Sequence, residues 1–338
     1  MSTLSKAINS NLFTSMSRIV KAAVVTEFGK SPAYSDFDLP APLETHTQVK
    51  VHAAGLHQLV KGRASGAHYS ASAKLPMVPG VDGVGELSNG DKVYVMAFDK
   101  DSTGTMAQYA NILKLDCLPI PSGGDANTIA ALMNPAMSSW LALRTRASIK
   151  PNATVLIMGV TGISGQLAVQ IAKSLGASRV IGAGRNQQIL DSLLSKDLDV
   201  AITLSDDTEK IKQEIAKEAA NVDIVLDYLW GPSAELAINS IIAARADKAQ
   251  RLDWVQIGQM AGPTINFPAG VLRLANFYVS GSGLGSVSPP EFRSELGELV
   301  NKLVSGDFVA EIDAHKLSDV EHVWTRKADK GRPVFVIE

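Results

Sequence analysis

Three glycines at a spacing of three residues, Gly159, Gly162 and Gly165, separate an apolar run at 154–158 from a helix-like stretch at 166–175. The apolar run predicts a strand, and the stretch after the glycines predicts a helix. Glycine lets a backbone approach a ligand closely, and the free N–H groups at a helix N-terminus attract phosphate. The pattern is typical of a loop that binds the pyrophosphate of a dinucleotide, and its alternative interpretation is a tight turn with no ligand.

The residues that follow the next apolar run indicate which dinucleotide is bound. Sites for NAD carry an acid about 20 residues beyond the last glycine, where it binds the ribose 2′-hydroxyl. This chain has Gly184, Arg185 and Asn186 in that place. The planar, permanently charged guanidinium of Arg185 matches a 2′-phosphate, which an acid would repel. We therefore expect NADPH rather than NADH; the alternative is that Arg185 is a solvated residue at a helix start.

These segments resemble a known family. Residues 154–177 are similar to the cofactor loop of the medium-chain dehydrogenase/reductase superfamily, in its quinone oxidoreductase-like branch, and the similarity extends from Lys21 over nearly the whole chain. The resemblance implies an α/β protein with a GroES-like, mainly β catalytic domain and a Rossmann domain, a doubly wound parallel sheet of six strands. Together with the glycines of the loop, the expected cofactor-binding residues are Ser138, Thr161, Ile163, Ser164, Gly184, Arg185, Asn186, Leu229, Gly258, Gly281 and Gly283.

The loop departs from the family in one respect. The family usually continues Gly-Gly-Val-Gly, whereas this chain has Gly162, Ile163, Ser164 and Gly165. The larger side chain of Ile163 can narrow the space beside the pyrophosphate or the nicotinamide.

Zinc divides this superfamily, because its alcohol dehydrogenases use catalytic Cys, His and Cys ligands with a nearby Glu. The matching positions here hold His57, Val81 and Asn134, with Asp82 at the acid. One imidazole and a carboxylate expected to lie at a distance cannot form a three-ligand site. The single cysteine, Cys117, also excludes a lobe of four cysteines. We therefore predict no metal.

Without a metal, hydride transfer relies on proximity and on hydrogen-bond donors aimed at the oxygen that gains charge. The candidate catalytic donors are His57, Tyr69 and Asn134. Each has a structural alternative: His57 as a packing residue, Tyr69 as a loop residue, and Asn134 as the cap of a helix that starts at Pro135. Quinones and conjugated enones suit such a site because their reduced products delocalise the negative charge.

Other functions on the same fold remain open at this point. One is an NADPH-dependent aldehyde or ketone reductase, and another is an enoyl-thioester reductase. A different class is a redox sensor that binds NADPH without catalysis.

The elements that hold these residues divide into two domains. At 338 residues the chain is longer than the about 250–300 residues at which single cores stop growing. Short β-type runs with Pro and Gly turns predict a mainly β domain, and the later alternation of strands with helices predicts a parallel sheet. We place an N-terminal extension at 1–18, the catalytic domain at 19–126 and 306–338, and the Rossmann domain at 127–305.

Composition bears on partners and compartment. Lys and Arg total 32 against 34 Asp and Glu, a net charge of −2 that offers no basic surface for nucleic acid. No apolar run is long enough for a membrane helix, and the single cysteine fits a reducing, cytoplasmic compartment. The Ser-rich, acid-free residues 1–18 are either a mitochondrial targeting peptide, which would place the protein in the matrix, or a disordered tail. We expect a homodimer that acts on a small carbonyl, quinone or enone substrate.

Overall fold

A computed structural model of the chain describes residues 17–68, 74–326 and 331–338. Tyr69 and residues 1–16 of the predicted extension lie outside them. The strands are β1 (Arg18–Val24), β2 (Ala33–Leu39), β3 (His46–Gly55), β4 (Asp82–Glu86), β5 (Lys92–Met96), β6 (Tyr109–Leu113), β7 (Cys117–Pro119), β8 (Thr154–Met158), β9 (Arg179–Gly184), β10 (Val200–Thr203), β11 (Ile224–Asp227), β12 (Leu252–Gln256), β13 (Phe277–Gly281), β14 (Ile312–Lys316) and β15 (Arg332–Val336). The helices are α1 (Gln58–Ala64), α2 (Ala126–Leu141), α3 (Ile163–Ser174), α4 (Gln187–Leu194), α5 (Thr208–Glu218), α6 (Gly231–Ala244), α7 (Val271–Leu274), α8 (Pro289–Val304) and α9 (Val320–Thr325). None of the described helices combines the length and the apolar composition needed to cross a membrane.

The first sheet gathers most strands of the mainly β region. Its order is β14, β15, β3, β4, β5 and β7, and β6 also pairs with β3. The late strand β15 joins through antiparallel pairing of Val334 with Gly55. In β3, Val49, Val51 and Ala53 are buried and alternate with more exposed residues, so one face of the strand packs on the core. The domain limits given above stay a prediction.

The second sheet has six parallel strands in the order β10, β9, β8, β11, β12 and β13, which confirms the predicted doubly wound sheet. Its central strand β8 is buried from 155 to 158, because helices cover both faces of a parallel sheet. The strand order reverses between β8 and β11. Ligands of open α/β sheets bind at that point, in the crevice outside the carboxyl ends of the strands.

Helix α2 lies between the two sheets and contacts β3 and β4 on one side and α3 and α8 on the other. The Asp125 carboxylate caps it by accepting a hydrogen bond from the Thr128 backbone N–H. The expectation of a helix that starts at Pro135 is wrong, because Pro135 lies inside α2. The helix buries Ile129 and Leu132 completely. Such side chains contribute about 1.5–3 kcal/mol each, which offsets the about 3 kcal/mol that an interior proline costs.

Candidate active site

The glycine loop at the end of β8 is folded so tightly that a side chain would be strained at its first glycine and would clash with the backbone at its last. Gly159 has a φ of 91°, a left-handed value that favours glycine. A Cβ atom on Gly165 would lie 2.5 Å from the Gly159 carbonyl oxygen. Gly162 differs, because only that same oxygen, at 3.7 Å, lies near its Cβ position. The loop therefore leaves open space at Gly162.

Helix α3 begins at Ile163, three residues before the predicted start at Gln166. Gly162 has the extended φ of −76° and ψ of 158° of an N-cap residue, but no side chain caps the helix. The backbone N–H groups of Ile163, Ser164 and Gly165 therefore have no acceptor within the helix. They lie at the positive end of the helix dipole, beside the crevice, which is an arrangement that binds phosphate.

Neighbouring strand ends close around this loop. The Leu229 side chain, just beyond β11, lies 3.1 Å from the Cβ position of Gly159. On the other side, the Thr161 methyl carbon lies 2.5 Å from the Cβ position of Gly184, the last residue of β9. The structure thus brings four predicted cofactor residues together across three adjacent strands. Close backbone approach, free N–H groups and open space at the loop tip fit a dinucleotide.

Arg185 and Asn186 follow β9 directly. Arg185 is exposed and, within the described part of the chain, makes no hydrogen bond or ion pair. Its guanidinium is therefore available to a phosphate at this end of the crevice. Asn186 is the N-cap of α4, and its side chain accepts a hydrogen bond of 3.2 Å from the Ile189 backbone N–H. The structure thus gives Asn186 a capping role at the position where we expected a cofactor contact.

The other predicted glycines lie at the ends of β12 and β13. A Cβ atom on Gly258 would lie 2.7 Å from the Tyr228 carbonyl oxygen, so Gly258 lies beside the residues that surround the loop. The Gly281 carbonyl accepts a hydrogen bond of 2.9 Å from Arg146 Nε, and Gly283 follows two residues later. Gly281 is therefore connected to the segment after α2, whereas the Gly283 backbone N–H donates to the Ser286 hydroxyl.

His57 and Asp82 form a buried pair in the first sheet. His57 Nε2 lies 2.9 Å from Asp82 Oδ1, and both side chains are buried. The expectation that this carboxylate lies at a distance from the imidazole is wrong. Antiparallel pairing of β3 with β4 brings Asp82, at the start of β4, next to the segment that follows β3.

Asp82 accepts a further hydrogen bond from Tyr94 on β5, with 2.8 Å between the phenol oxygen and Oδ2. Burial and the Asp82 carboxylate raise the pKa of Tyr94 well above its usual value, so the phenol stays protonated and donates. Within the described residues, His57 Nδ1 is buried and has no hydrogen-bond partner. Buried polar atoms are nearly always paired, so this nitrogen is the unused polar atom of the cluster.

One face of α2 connects this cluster with the crevice. After its first turn every residue of α2 is buried except Asn134 and Ser138, which lie one turn apart on the same face. Ala130, one turn earlier, contacts the end of β3: a Cβ atom on Gly55 would lie 2.4 Å from the Ala130 carbonyl oxygen and 3.6 Å from His57 Cδ2. This face of α2 therefore runs from His57 past Asn134 to Ser138.

At its far end the same face reaches β11. The Ser138 and Tyr228 hydroxyl oxygens lie 3.0 Å apart, and Ser138 also donates a hydrogen bond of 2.7 Å to the Pro135 carbonyl. Burial raises the pKa of Tyr228 to about 12. The hydroxyl pair joins α2 to the carboxyl edge of the second sheet.

Known proteins share this architecture. A family model described as zinc-binding dehydrogenase matches residues 164–302. A probable NADPH-dependent quinone reductase of Emericella nidulans is 30% identical, over an alignment that covers 94% of this chain and 99% of that protein. The chain belongs to the medium-chain dehydrogenase/reductase superfamily, in its quinone oxidoreductase-like branch.

Solved structures of quinone oxidoreductases have the same fold as this member of the superfamily. The enzyme from Thermus thermophilus has a TM-score of 0.77 at 24% identity, and the alignment covers 94% of this chain and 99% of that one. A mycobacterial quinone oxidoreductase has a TM-score of 0.80 at 18% identity, with the same coverage. At these identities the likeness concerns the fold.

At the positions that we matched to the superfamily's zinc ligands from the sequence, His57, Val81 and Asn134, the buried, apolar Val81 cannot bind a metal. Residues 17–68, 74–326 and 331–338 contain no group of three or more His, Cys, Asp or Glu side chains that could hold a metal ion. Burial raises the pKa of the half-buried Cys117 thiol to about 11, which makes it a poor nucleophile. The absence of a catalytic zinc stays a prediction.

Sequence reasoning missed Asp227, the last residue of β11, and Tyr228, which follows it at the carboxyl edge of the second sheet. The buried Asp227 carboxylate accepts hydrogen bonds from the backbone N–H groups of Leu229 and Trp230, at 2.8 and 2.9 Å. It thereby holds Trp230 at a φ of 54°, which is rare for a side chain of that size. An acid followed by aromatic residues at the end of a strand was the available signal.

Proposed function

We propose that this protein is an NADPH-dependent oxidoreductase that reduces a quinone. The observation that carries the proposal is the face of α2 that connects the dinucleotide crevice, at Ser138, with the His57–Asp82 pair, by way of Asn134. A cofactor in the crevice and a substrate beside His57 would both lie along that face. The names of the Emericella nidulans and Thermus thermophilus proteins, the second solved also in complex with NADPH, support the choice of cofactor and substrate.

The glycine loop and its neighbours bind and orient the cofactor in this proposal. The free N–H groups at the start of α3 hold the pyrophosphate, and Arg185 pairs with the 2′-phosphate. Leu229 covers Gly159 and keeps water from that part of the loop. Bound NADPH supplies the hydride. The residues along α2 and in the first sheet interact with the substrate oxygen.

His57 supplies the proton that accompanies the hydride. Because Nε2 is bonded to Asp82, the proton that His57 holds and releases is on Nδ1. The Asp82 carboxylate orients the ring so that Nδ1 stays free of protein partners. The Asn134 amide donates a hydrogen bond to the oxygen that gains negative charge. Tyr69, outside the described residues, remains a candidate for the same task.

Zinc independence and activity on conjugated enones are finer parts of the proposal. Among the three positions that we matched to the superfamily's zinc ligands, only His57 can bind a metal, since Val81 and Asn134 are not zinc ligands and a catalytic zinc needs three. Hydrogen bonds then have to stabilise the developing charge. Quinones and enones spread that charge over a conjugated system, so hydrogen bonds suffice where an isolated ketone would need a Lewis acid.

The test is NADPH consumption by the purified protein with a panel of quinones, conjugated enones, enoyl thioesters and aldehydes. We expect turnover with quinones and enones, unchanged by a chelator. Turnover confined to enoyl thioesters or aldehydes would identify the protein as an enoyl-thioester reductase or an aldehyde reductase instead. Tight NADPH binding without turnover on any compound would contradict the enzyme and favour a redox sensor.

A matched pair of variants tests the proton donor. We expect His57→Gln, which can keep a hydrogen bond to Asp82, to lower kcat at least tenfold and to flatten the pH profile of kcat. His322→Gln changes an exposed histidine on α9 and should leave both unchanged. Equal pH profiles in wild type and His57→Gln would remove His57 from the reaction.

We also propose a homodimer. Among the residues that the structure describes, strand β13 ends the second sheet and pairs on one side only. On it Tyr278 and Val279 are 49% and 40% exposed, and an edge strand with exposed apolar residues can pair with another chain. Light scattering tests the proposal: the mass of a single chain at micromolar concentration would contradict it.

The proposal also includes the limits of the two domains and the cellular compartment of the protein. The proposed limits at 19–126 with 306–338 and at 127–305 are supported by the sheets: β8 to β13 form one sheet, whereas the seven-stranded sheet and the β1–β2 pair use strands before and after them in the chain. Limited proteolysis that cuts near 126 and 305 first would support them. A reducing compartment, the cytoplasm or the mitochondrial matrix, is supported by the single cysteine and is tested by imaging the tagged protein.

A further inference from the structure

Tyr228 has a side chain whose placement the functions proposed so far do not use. It directly follows β11, at the point where the strand order of the second sheet reverses. Its hydroxyl lies 3.0 Å from the Ser138 hydroxyl on α2. A buried phenol that bridges two elements of a binding crevice is well placed to contact a ligand there.

The order of the strands tells which end of a dinucleotide reaches Tyr228. Strands β9, β8 and β11 are adjacent, at about 4.8 Å from one to the next. Arg185 follows β9, the glycine loop follows β8, and Tyr228 follows β11. The Tyr228 Cβ lies 3.3 Å from the Cβ position of Gly159, so the tyrosine adjoins the loop. With the 2′-phosphate at Arg185 and the pyrophosphate on the loop, the nicotinamide end lies towards Tyr228.

The hydrogen bonds of the pair indicate which group it can bind. Ser138 has one hydroxyl hydrogen, which it donates to the Pro135 carbonyl, so Ser138 accepts from Tyr228 in this arrangement. The Ser139 hydroxyl, which also interacts with Tyr228, donates to the Ala136 carbonyl, so the phenol oxygen then keeps free lone pairs. If Ser138 instead turns its hydrogen to Tyr228, the phenol is free to donate.

A group that both accepts and donates hydrogen bonds is complementary to such a pair. The carbonyl oxygen of a quinone only accepts, whereas the carboxamide of nicotinamide has a carbonyl oxygen and an N–H₂ group. Because the phenol keeps its proton over the physiological pH range, both hydrogen-bonding modes are available to it. The carboxamide is therefore the better partner.

We propose that the Ser138–Tyr228 hydroxyl pair binds the carboxamide of the nicotinamide ring and sets the orientation of the ring against α2. The proposal rests on the proposed function, because it needs NADPH in the crevice. It adds Tyr228 to the residues that bind the cofactor, and it gives Ser138 a partner.

The test compares two ligands of the Tyr228→Phe protein by calorimetry. NADPH has both ends of the dinucleotide, and adenosine 2′,5′-bisphosphate has only the phosphorylated adenosine end. We expect Tyr228→Phe to weaken NADPH binding about three- to tenfold, as for the loss of one hydrogen bond, and to leave the bisphosphate unchanged. Ser138→Ala should do the same. Arg185→Ala is the matched control and should weaken both ligands.

A third ligand tests the carboxamide itself. The 3-acetylpyridine analogue of NADP⁺ has a methyl group in place of the amide nitrogen. The wild type should bind NADP⁺ more tightly than the analogue, and Tyr228→Phe should lose most of that difference.

Two results would overturn the inference: unchanged NADPH affinity in both variants, or equal weakening of NADPH and the bisphosphate, which indicates a structural role. If the Tyr228→Phe protein does not fold, the binding measurements on Ser138→Ala test the inference by themselves. None of these results bears on turnover by the wild type, so a failure here is distinct from a failure of the proposed function.

Discussion

The glycine loop and the cluster around Asp82 bind polar groups in opposite ways. The loop works through its backbone: Gly165 fits only because it lacks a side chain, and the tip at Gly162 is open. The cluster works through side chains that are buried and paired, with His57 and Tyr94 both bonded to the Asp82 carboxylate. Substitutions that remove side-chain atoms should therefore destabilise the cluster, whereas substitutions that add an atom should disturb the loop.

The largest effect is expected from Asp82→Ala. The substitution leaves His57 Nε2 and the Tyr94 hydroxyl buried without an acceptor. Two unsatisfied groups at about 1–3 kcal/mol each should lower the free energy of unfolding by roughly 2–6 kcal/mol. Guanidinium denaturation measures the change.

The exposed Asp206 offers a matched control, since Asp206→Ala removes the same atoms from a surface loop. It should change the free energy of unfolding by no more than about 0.5 kcal/mol. Equal effects of the two substitutions would show that the Asp82 cluster contributes nothing to stability.

The substitutions Gly165→Ala and Gly162→Ala separate the contribution of the loop to folding from its contribution to NADPH binding. The first adds a Cβ atom 2.5 Å from the Gly159 carbonyl oxygen, so the loop must shift. We expect about 1–3 kcal/mol of destabilisation, as for overpacking, and a more than tenfold higher Kd for NADPH by calorimetry.

Gly162→Ala adds the same methyl group where φ is −76° and the nearest atom is 3.7 Å away. The protein should therefore unfold at an unchanged Tm and yet bind NADPH more weakly, because the methyl group occupies space meant for the phosphates. Unchanged NADPH affinity in this variant would place the ligand away from the loop tip.

The loop could be predicted because its signals lie within one short segment. A strand, three glycines and a helix follow one another between Thr154 and Ser174, and local rules connect them. Only the helix start was misplaced, since the sequence does not show that Gly162 takes the N-cap conformation. The strand order followed from the regular alternation of strands and helices.

The cluster could not be predicted in the same way because its members meet through tertiary structure. His57 and Asp82 are 25 residues apart, and their contact depends on the register of β3 with β4, which contains an irregularity between Val51 and Ala53. The helix boundary at Pro135 failed for a related reason. The local rule for proline was outweighed by the burial of α2 between two sheets, which no short segment encodes.

The smallest expected effect is that of Arg185→Ala, because an exposed side chain without a protein partner contributes nothing to packing. The Tm should stay unchanged. The preference for NADPH over NADH, as the ratio of kcat/KM values, should fall at least about tenfold, since a charge-assisted contact is worth about 1.5–3 kcal/mol. Lys196→Ala removes an exposed charge just beyond the other end of α4 and should leave the ratio unchanged. If both variants lowered it equally, the preference would come from the general field and not from a contact of Arg185 with the 2′-phosphate.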